Sequence, residues 1–231
     1  MRIILFALLI PYFVFGQFIA TTGIGGTVND TASQSADVDA DTSGFNESGS
    51  VVSYVDARDS DAADNFSNAN LGIGQMFVAS VHSVWRSTLG FAIPSVSGIT
   101  SVSLLMNGND NDLDTNFDLY ILSAEDAATE LDENDFSHFD GRQTGGAHNG
   151  NILNETWNTE NYTDGWMTVN FNSDGIDSVA AYTGSEFYLI LISKEDYDNS
   201  APSLSVGERF KIESYTSESE CPYLHITYTG E

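Results

Sequence analysis

Carboxylate and amide side chains recur at every second position in the stretch 107–118, which reads NGNDNDLDTNFD. Asp110, Asp112 and Asp114 keep this spacing, and Asn116 continues it. Calcium takes about six to eight oxygen ligands, and loops rich in Asp and Asn supply them. The pattern therefore predicts a calcium site formed by these four residues. The alternative is a solvated hairpin tip that holds no ion.

Three aromatic side chains, Trp157, Tyr162 and Trp166, lie close together in a polar stretch of the sequence. Aromatic rings stack on the apolar faces of sugar rings, while polar neighbours such as Asn158 supply directional hydrogen bonds. These four residues are therefore predicted to form a carbohydrate-binding site. The alternative is that at least one of the rings packs in the core.

Motifs of the common hydrolases are missing from the sequence. It has no G-x-S-x-G pattern for a serine nucleophile. Its single cysteine, Cys221, excludes both an intramolecular disulfide and a zinc–cysteine cluster. Acidic residues are so frequent that no pair stands out as the two carboxylates of a glycoside hydrolase. We therefore predict that the protein is not an enzyme.

The elements that must position these residues are strands, because apolar side chains alternate with period two in three consecutive runs. The runs are Leu89, Phe91 and Ile93; Val102, Leu104 and Met106; and Phe117, Leu119 and Ile121. Alternate side chains of a strand point to opposite faces, so each run predicts one apolar face. Turn-forming residues separate the runs, which predicts an antiparallel meander.

A further stretch, EFYLILIS at residues 186–193, is apolar on both faces and predicts a central, fully covered strand. Roughly nine or ten strands in all, without helical periodicity, indicate an all-β fold. The expected architecture is an antiparallel two-sheet β-sandwich, similar to a jelly roll, with a flexible N-terminal arm.

The chain of 231 residues divides into three predicted parts. Residues 1–16 have the pattern of a secretory signal peptide, with Arg2 before an apolar stretch and Gly16 at the expected cleavage site. That stretch of about 13 residues is shorter than the roughly 20 needed to span a bilayer. Residues 17–50 are rich in Gly, Ser, Thr and Asp, which favours a flexible arm. Residues 51–231 form the predicted β-sandwich domain.

The net charge of −27 limits the classes of partner. A field of this sign repels phosphate backbones, so nucleic acid is excluded as an expected partner. No later segment is apolar enough to be a membrane span. With the signal peptide, this predicts a secreted protein, extracellular or held at a cell surface.

The chain also resembles the DNRLRE-type secreted β-sandwich domains and the carbohydrate-binding modules related to them. The family pattern is an arginine-led strand ending in F-x-I-P, then an I-x-S-A-x-L strand, and a terminal P-x-L-x-I-x-Y strand. The matching positions are Arg86, Phe91, Ile93, Pro94, Ile99, Ser101, Leu104, Pro222, Leu224, Ile226 and Tyr228. Val102 departs from the pattern, which has a small residue there. The resemblance implies a secreted sandwich and carbohydrate binding, without naming the glycan.

Two functions are expected from these observations. The first is a secreted, non-catalytic β-sandwich that binds carbohydrate at a cell surface or in an extracellular matrix. The second is a structural subunit of an extracellular appendage, filament or coat, with the arm at residues 17–50 reaching a neighbouring subunit.

The signal peptide gives a direct test. Secreted protein is expected to begin at Gln17, because the apolar stretch ends in small residues suited to signal peptidase. Intact-mass measurement of secreted material checks this, and a mass that retains Met1 would contradict it.

Overall fold

The computed structural model describes residues 33–124, 131–217 and 219–230. The predicted signal peptide and the predicted arm up to residue 32 lie outside this part of the chain. Twelve strands are found in the described residues: β1 (Gln34–Asp39), β2 (Thr42–Ser50), β3 (Asn65–Ser67), β4 (Leu71–Val78), β5 (Val81–Ala92), β6 (Ser101–Leu113), β7 (Asp118–Ser123), β8 (Trp157–Asn158), β9 (Trp166–Asn170), β10 (Glu186–Ser193), β11 (Val206–Ile212) and β12 (Tyr223–Tyr228).

Helices are short and few among the described residues. The α-helices are α1 (Tyr54–Arg58), α2 (Ser173–Ala181) and α3 (Lys194–Asp198), and two 3-10 helices span Glu133–Ser137 and Thr159–Asn161. Across the same residues, no helix combines the length and the apolar character that crossing a membrane requires.

The paired strands run antiparallel throughout the described residues, which confirms the predicted antiparallel β fold. They join into one twelve-stranded sheet that curls into a half-barrel. The main path through the sheet is β1-β12-β6-β11-β4-β5-β10-β7-β8. In addition, β2 pairs with β3 and β5, and β9 pairs with β6.

Strand β6 changes partners halfway along its length. Residues 101–107 pair with β12 and β9, whereas residues 108–113 pair with β11. The β6–β11 register shifts between Lys211 and Ile212, which leaves Asn109 without a partner in the ladder. An extra residue of this kind bends a strand and increases its twist. Gly108 sits at the bend, where a Cβ atom would lie 2.3 Å from the carbonyl oxygen of Thr163.

The alternating runs predicted from the sequence all contribute to one hydrophobic core. Each of the nine side chains named above belongs to the same buried cluster. The predicted meander is wrong, because β5, β6 and β7 do not pair with one another. Instead β10 lies between β5 and β7, and β6 lies between β12 and β11. Alternation shows which face of a strand is apolar, but it does not identify the neighbouring strand.

The predicted flexible arm is wrong from Gln34 onward. Strand β1 pairs with β12, and all nine residues of β2 pair with β5. Small side chains let β2 lie against bulky ones: a Cβ atom added to Gly44 would be 2.6 Å from the ring of Phe66. The folded domain therefore starts before Val51.

The prediction for β10 is confirmed. It pairs with β5 on one side and with β7 on the other, so it is a central strand. Leu189 and Leu191 face the main core, while Ile190 and Ile192 face a second buried cluster that includes Phe139. These four side chains are fully buried.

Truncation of Leu189 tests this placement. Leu189→Ala is expected to lower the free energy of unfolding by about 2–5 kcal/mol, because the lost methyl groups leave a cavity in a packed core. Leu204→Ala is the matched control, since that side chain is 64% exposed. Denaturant melts measure both variants. Equal, small losses in the two variants would contradict a central position for β10.

Candidate functional site

Four strand segments present an outward surface, here called the outer face, on one side of the curled sheet. In β9 and β12 every second side chain is buried, and those between are exposed or half-buried. The outer face comprises Ser35, Asp37 and Asp39 of β1; Tyr223, His225 and Thr227 of β12; Ser101, Ser103 and Leu105 of β6; and Trp166, Thr168 and Asn170 of β9. The buried side chains between them hold this surface on the core.

An aromatic pair lies on the outer face. The ring of Trp166 is 46% exposed, and its centroid lies 5.4 Å from that of Tyr223 in an edge-to-face arrangement. The two residues belong to strands on either side of β6: Tyr223 lies opposite Leu105, and Trp166 lies opposite Asn107, two residues further along β6. Edge-to-face packing is a favoured aromatic geometry, so Tyr223 fixes the orientation of the exposed indole.

A row of polar side chains crosses all four strands beside the aromatic pair. The strand register places Asp37, His225, Ser103 and Asn170 in line. Oδ1 of Asp37 lies 2.6 Å from Nδ1 of His225, and the Ser103 hydroxyl donates to Oδ1 of Asn170 at 2.9 Å. Neighbouring strands are about 4.8 Å apart, so the row is roughly 14 Å long. It offers hydroxyl, amide, carboxylate and imidazole groups along one line.

Trp166 is the one predicted carbohydrate-binding residue that the structure places on this face. Trp157 lies in β8 and is only 8% exposed, with its ring centroid 5.8 Å from that of Phe210. The indole of Trp157 is therefore part of the core, as the alternative interpretation expected. Trp157 does not serve as an exposed platform because its ring already packs against aromatic neighbours.

Asn158 and Tyr162 are also away from the outer face. The Asn158 amide donates to the Asp118 carboxylate at 2.8 Å, and its Oδ1 accepts from the backbone of the following 3-10 helix. Tyr162 is half-buried against Phe210. Proximity in sequence therefore does not bring the four predicted residues into one site.

Tyr223, His225 and Asp37 were not predicted from the sequence as site residues. A signal was present for the first two, because PYLHITYT alternates apolar and polar side chains. Tyr223 and His225 therefore had to share one face of a strand. Asp37 carries no such signal, since β1 contains almost no large apolar side chains.

The acidic stretch predicted to bind calcium belongs mainly to strand β6. Asp110 lies opposite Lys211 of β11, with a carboxylate–ammonium distance of 2.8 Å, and this hydrogen bond lowers the pKa of Asp110. Asp112 lies opposite Arg209, with a distance of 3.8 Å between its carboxylate and the guanidinium. Both carboxylates therefore have cationic neighbours on the adjacent strand.

The other two predicted calcium ligands follow the end of β6. Oδ2 of Asp114 accepts from the backbone N–H of Gly207 at 2.8 Å, and Asn116 is exposed. Within residues 33–124, 131–217 and 219–230, no group of three or more His, Cys, Asp or Glu side chains is arranged to hold a metal ion. Calcium binding by these four residues stays a prediction.

A cluster of charged side chains is buried on the face of β5 that points away from Leu89 and Phe91 of the main core. Arg86 donates to both carboxylate oxygens of Asp196, from Nε at 2.7 Å and from Nη2 at 2.8 Å. It also donates to the backbone carbonyls of Phe136 and Arg58 at 2.7 and 2.9 Å. The Arg86 guanidinium lies 4.0 Å from the centroid of the Phe136 ring, a cation–π geometry.

The protonation states of this cluster follow from burial and from the ion pair. Burial would raise the pKa of Asp196, but Arg86 and His148 together hold it below its ordinary value. Burial lowers the pKa of His148, whose Nδ1 accepts from the backbone N–H of Gln143. The side chains of Arg86 and Asp196 are completely inaccessible to solvent. The cluster is therefore structural, since no substrate reaches it.

Two open clefts lie away from the outer face. One has a volume of about 400 Å³ and the other about 290 Å³. Carboxylates line both of them: Glu47 and Asp64 in the larger cleft, and Asp41 and Glu186 in the smaller. Only the smaller cleft includes an aromatic ring, that of Tyr188. The exposed indole with polar side chains around it is thus found on the outer face and not in these clefts.

A scan against models of protein families gives no match for this chain, and a search of curated proteins gives none. The resemblance to DNRLRE-type domains stays a prediction from the sequence.

Removing the charge of Asp196 tests the buried cluster. Asp196→Asn is expected to lower the free energy of unfolding by about 3–5 kcal/mol, because it leaves the Arg86 charge buried without its partner. Asp198→Asn in the same helix is the control. Asp198 is 41% exposed and pairs with Lys194, so its loss costs about 1 kcal/mol or less. Similar denaturant melts for both variants would contradict a structural role for the ion pair.

Proposed function

We propose that this chain is a secreted, non-catalytic protein that binds carbohydrate through the outer face, at a cell surface or in an extracellular matrix. The observation that carries the proposal is the exposed indole of Trp166, held by Tyr223 beside a row of polar side chains. A sugar ring has apolar C–H faces and a rim of hydroxyl groups. On the outer face, the indole can stack on the apolar faces, and the polar row can form hydrogen bonds with the hydroxyl groups.

The proposed architecture is the two-sheet sandwich, similar to a jelly roll, that the sequence predicts. The bend of β6 supports it, because strand pairing changes from β12 and β9 to β11 at that point. Strands on both sides of the bend contribute to one core: Leu224 of β12 on one side, and Phe210 of β11 and Leu189 of β10 on the other. Two facing layers with a shared core are the arrangement of a sandwich.

The structural-subunit hypothesis is the second candidate, and the edge of the sheet is the observation that favours it. Strand β1 ends the main path of the sheet and pairs, among the described strands, with β12 alone. A free strand edge can accept a strand from another chain. However, residues 34–50 of the predicted arm pair within their own sheet. They are therefore not available to reach a neighbouring subunit.

Affinity electrophoresis tests carbohydrate binding. Gels containing dextran, galactomannan or a soluble mixed-linkage β-glucan are compared with a gel that contains no polysaccharide. We expect at least one polysaccharide to retard the wild-type protein. The double variant Trp166→Ala, Tyr223→Ala should lose about tenfold or more in affinity, because central aromatic side chains carry much of the energy of an interface.

The control variant is Tyr182→Ala, which removes an aromatic side chain that is 41% exposed elsewhere on the surface. It should be retarded like the wild type. Circular dichroism confirms that each variant is folded. Retention of the double variant at wild-type strength would contradict the proposed site. A wild type that no polysaccharide retards, and that assembles into large particles at high concentration, would favour the structural-subunit hypothesis.

A further inference from the structure

The carboxylates of the outer face all lie at its β1 edge. Asp37 and Asp39 are on the β1 edge, next to His225 and Tyr223 in the strand register. The Asp37 carboxylate is 61% exposed. The segments of β1, β12, β6 and β9 that form the face contain no lysine or arginine. Its charged side chains are therefore carboxylates, with the imidazole of His225 beside one of them.

Carboxylates act in opposite ways on the two main classes of glycan. Hydroxyl groups of an uncharged sugar donate to a carboxylate, and such charge-assisted hydrogen bonds are stronger than neutral ones. A uronate or sulfate group has no proton to donate at neutral pH, and the carboxylates repel its charge. Because the whole chain has a net charge of −27, no long-range attraction offsets this repulsion.

The position of the carboxylates makes this effect local. Asp39 is in register with Tyr223, and Asp37 is in register with His225. A sugar chain that stacks on Trp166 and crosses β6 and β12 past Tyr223 therefore reaches the β1 edge at Asp39, with Asp37 beside it. The two carboxylates meet the hydroxyl groups at that end of the sugar chain.

We infer that the outer face binds uncharged glycans and rejects glycans that carry carboxylate or sulfate groups, with Asp37 and Asp39 as the specificity-determining side chains. This inference rests on the proposed function, since it concerns the same face. Asp37 has a second role, because its contact of 2.6 Å with Nδ1 orients the imidazole of His225 toward β1.

The test compares one polysaccharide in two charge states. The probe is a neutral polysaccharide of the panel that retards the wild type, and the same polymer after oxidation of its primary hydroxyl groups to carboxylates. Both are measured in chelator, so that no divalent cation bridges the anions. We expect the wild type to bind the oxidised polymer about tenfold or more weakly than the neutral one. Added salt should narrow this difference through screening.

The charge-removing variants locate the effect. Asp37→Asn with Asp39→Asn should bring the affinity for the oxidised polymer to within about threefold of that for the neutral polymer. Asn keeps the side-chain size and a hydrogen-bonding oxygen at each position. Asp174→Asn with Asp177→Asn is the control, because it removes the same charge from exposed positions of α2. The control should discriminate like the wild type.

Each remaining outcome is decisive. If the wild type binds both polymers equally, the inference is wrong while the proposed function stands. If discrimination persists in the Asp37, Asp39 double variant, or is lost in the α2 control, the assignment to these two residues is wrong. If no neutral polysaccharide is retained, the proposed function itself fails.

Discussion

The ion pair between Arg86 and Asp196 is the interaction on which the arrangement of the other elements depends. It lies between β5 and α3, and the same guanidinium binds the carbonyl of Arg58 at the end of α1. A further hydrogen bond reaches the 3-10 helix Glu133–Ser137. Burying two charges is costly. The hydrogen bonds from the guanidinium to a carboxylate and two backbone carbonyls offset this cost. Three segments distant in sequence, α1, α3 and this 3-10 helix, are thereby fixed to β5.

The second constraint is the bend of β6, and it is the one that creates the candidate site. The unpaired residue Asn109 lets one strand serve two groups of partners. The first half of β6 pairs with β12, which contains Tyr223, and with β9, which contains Trp166. Because buried side chains between the exposed ones join the common core, the outer face is rigidly supported. A binding surface on paired strands is held more precisely than one on loops.

Much of the fold was predictable from alternation, because burial imposes period two on every strand with one covered face. Pairing was not predictable, since it depends on contacts between residues far apart in sequence. Strand β2 was missed because its buried side chains, such as Ser43 and Asn46, are small or polar. For the site, exposure of Trp166 and burial of Trp157 were not distinguishable by residue type. The packing of Phe210 against Trp157 decides between them.

The most direct measurement of carbohydrate binding at the outer face follows the indole N–H signals of the three tryptophans by NMR during titration with a neutral oligosaccharide. Trp85 and Trp157 are 4% and 8% exposed, whereas Trp166 is 46% exposed. Binding at the outer face predicts a dose-dependent shift of the Trp166 signal, identified with a Trp166→Phe variant, while the other two signals stay in place. Binding that shifts Trp157 or Trp85 and leaves Trp166 unchanged would contradict it.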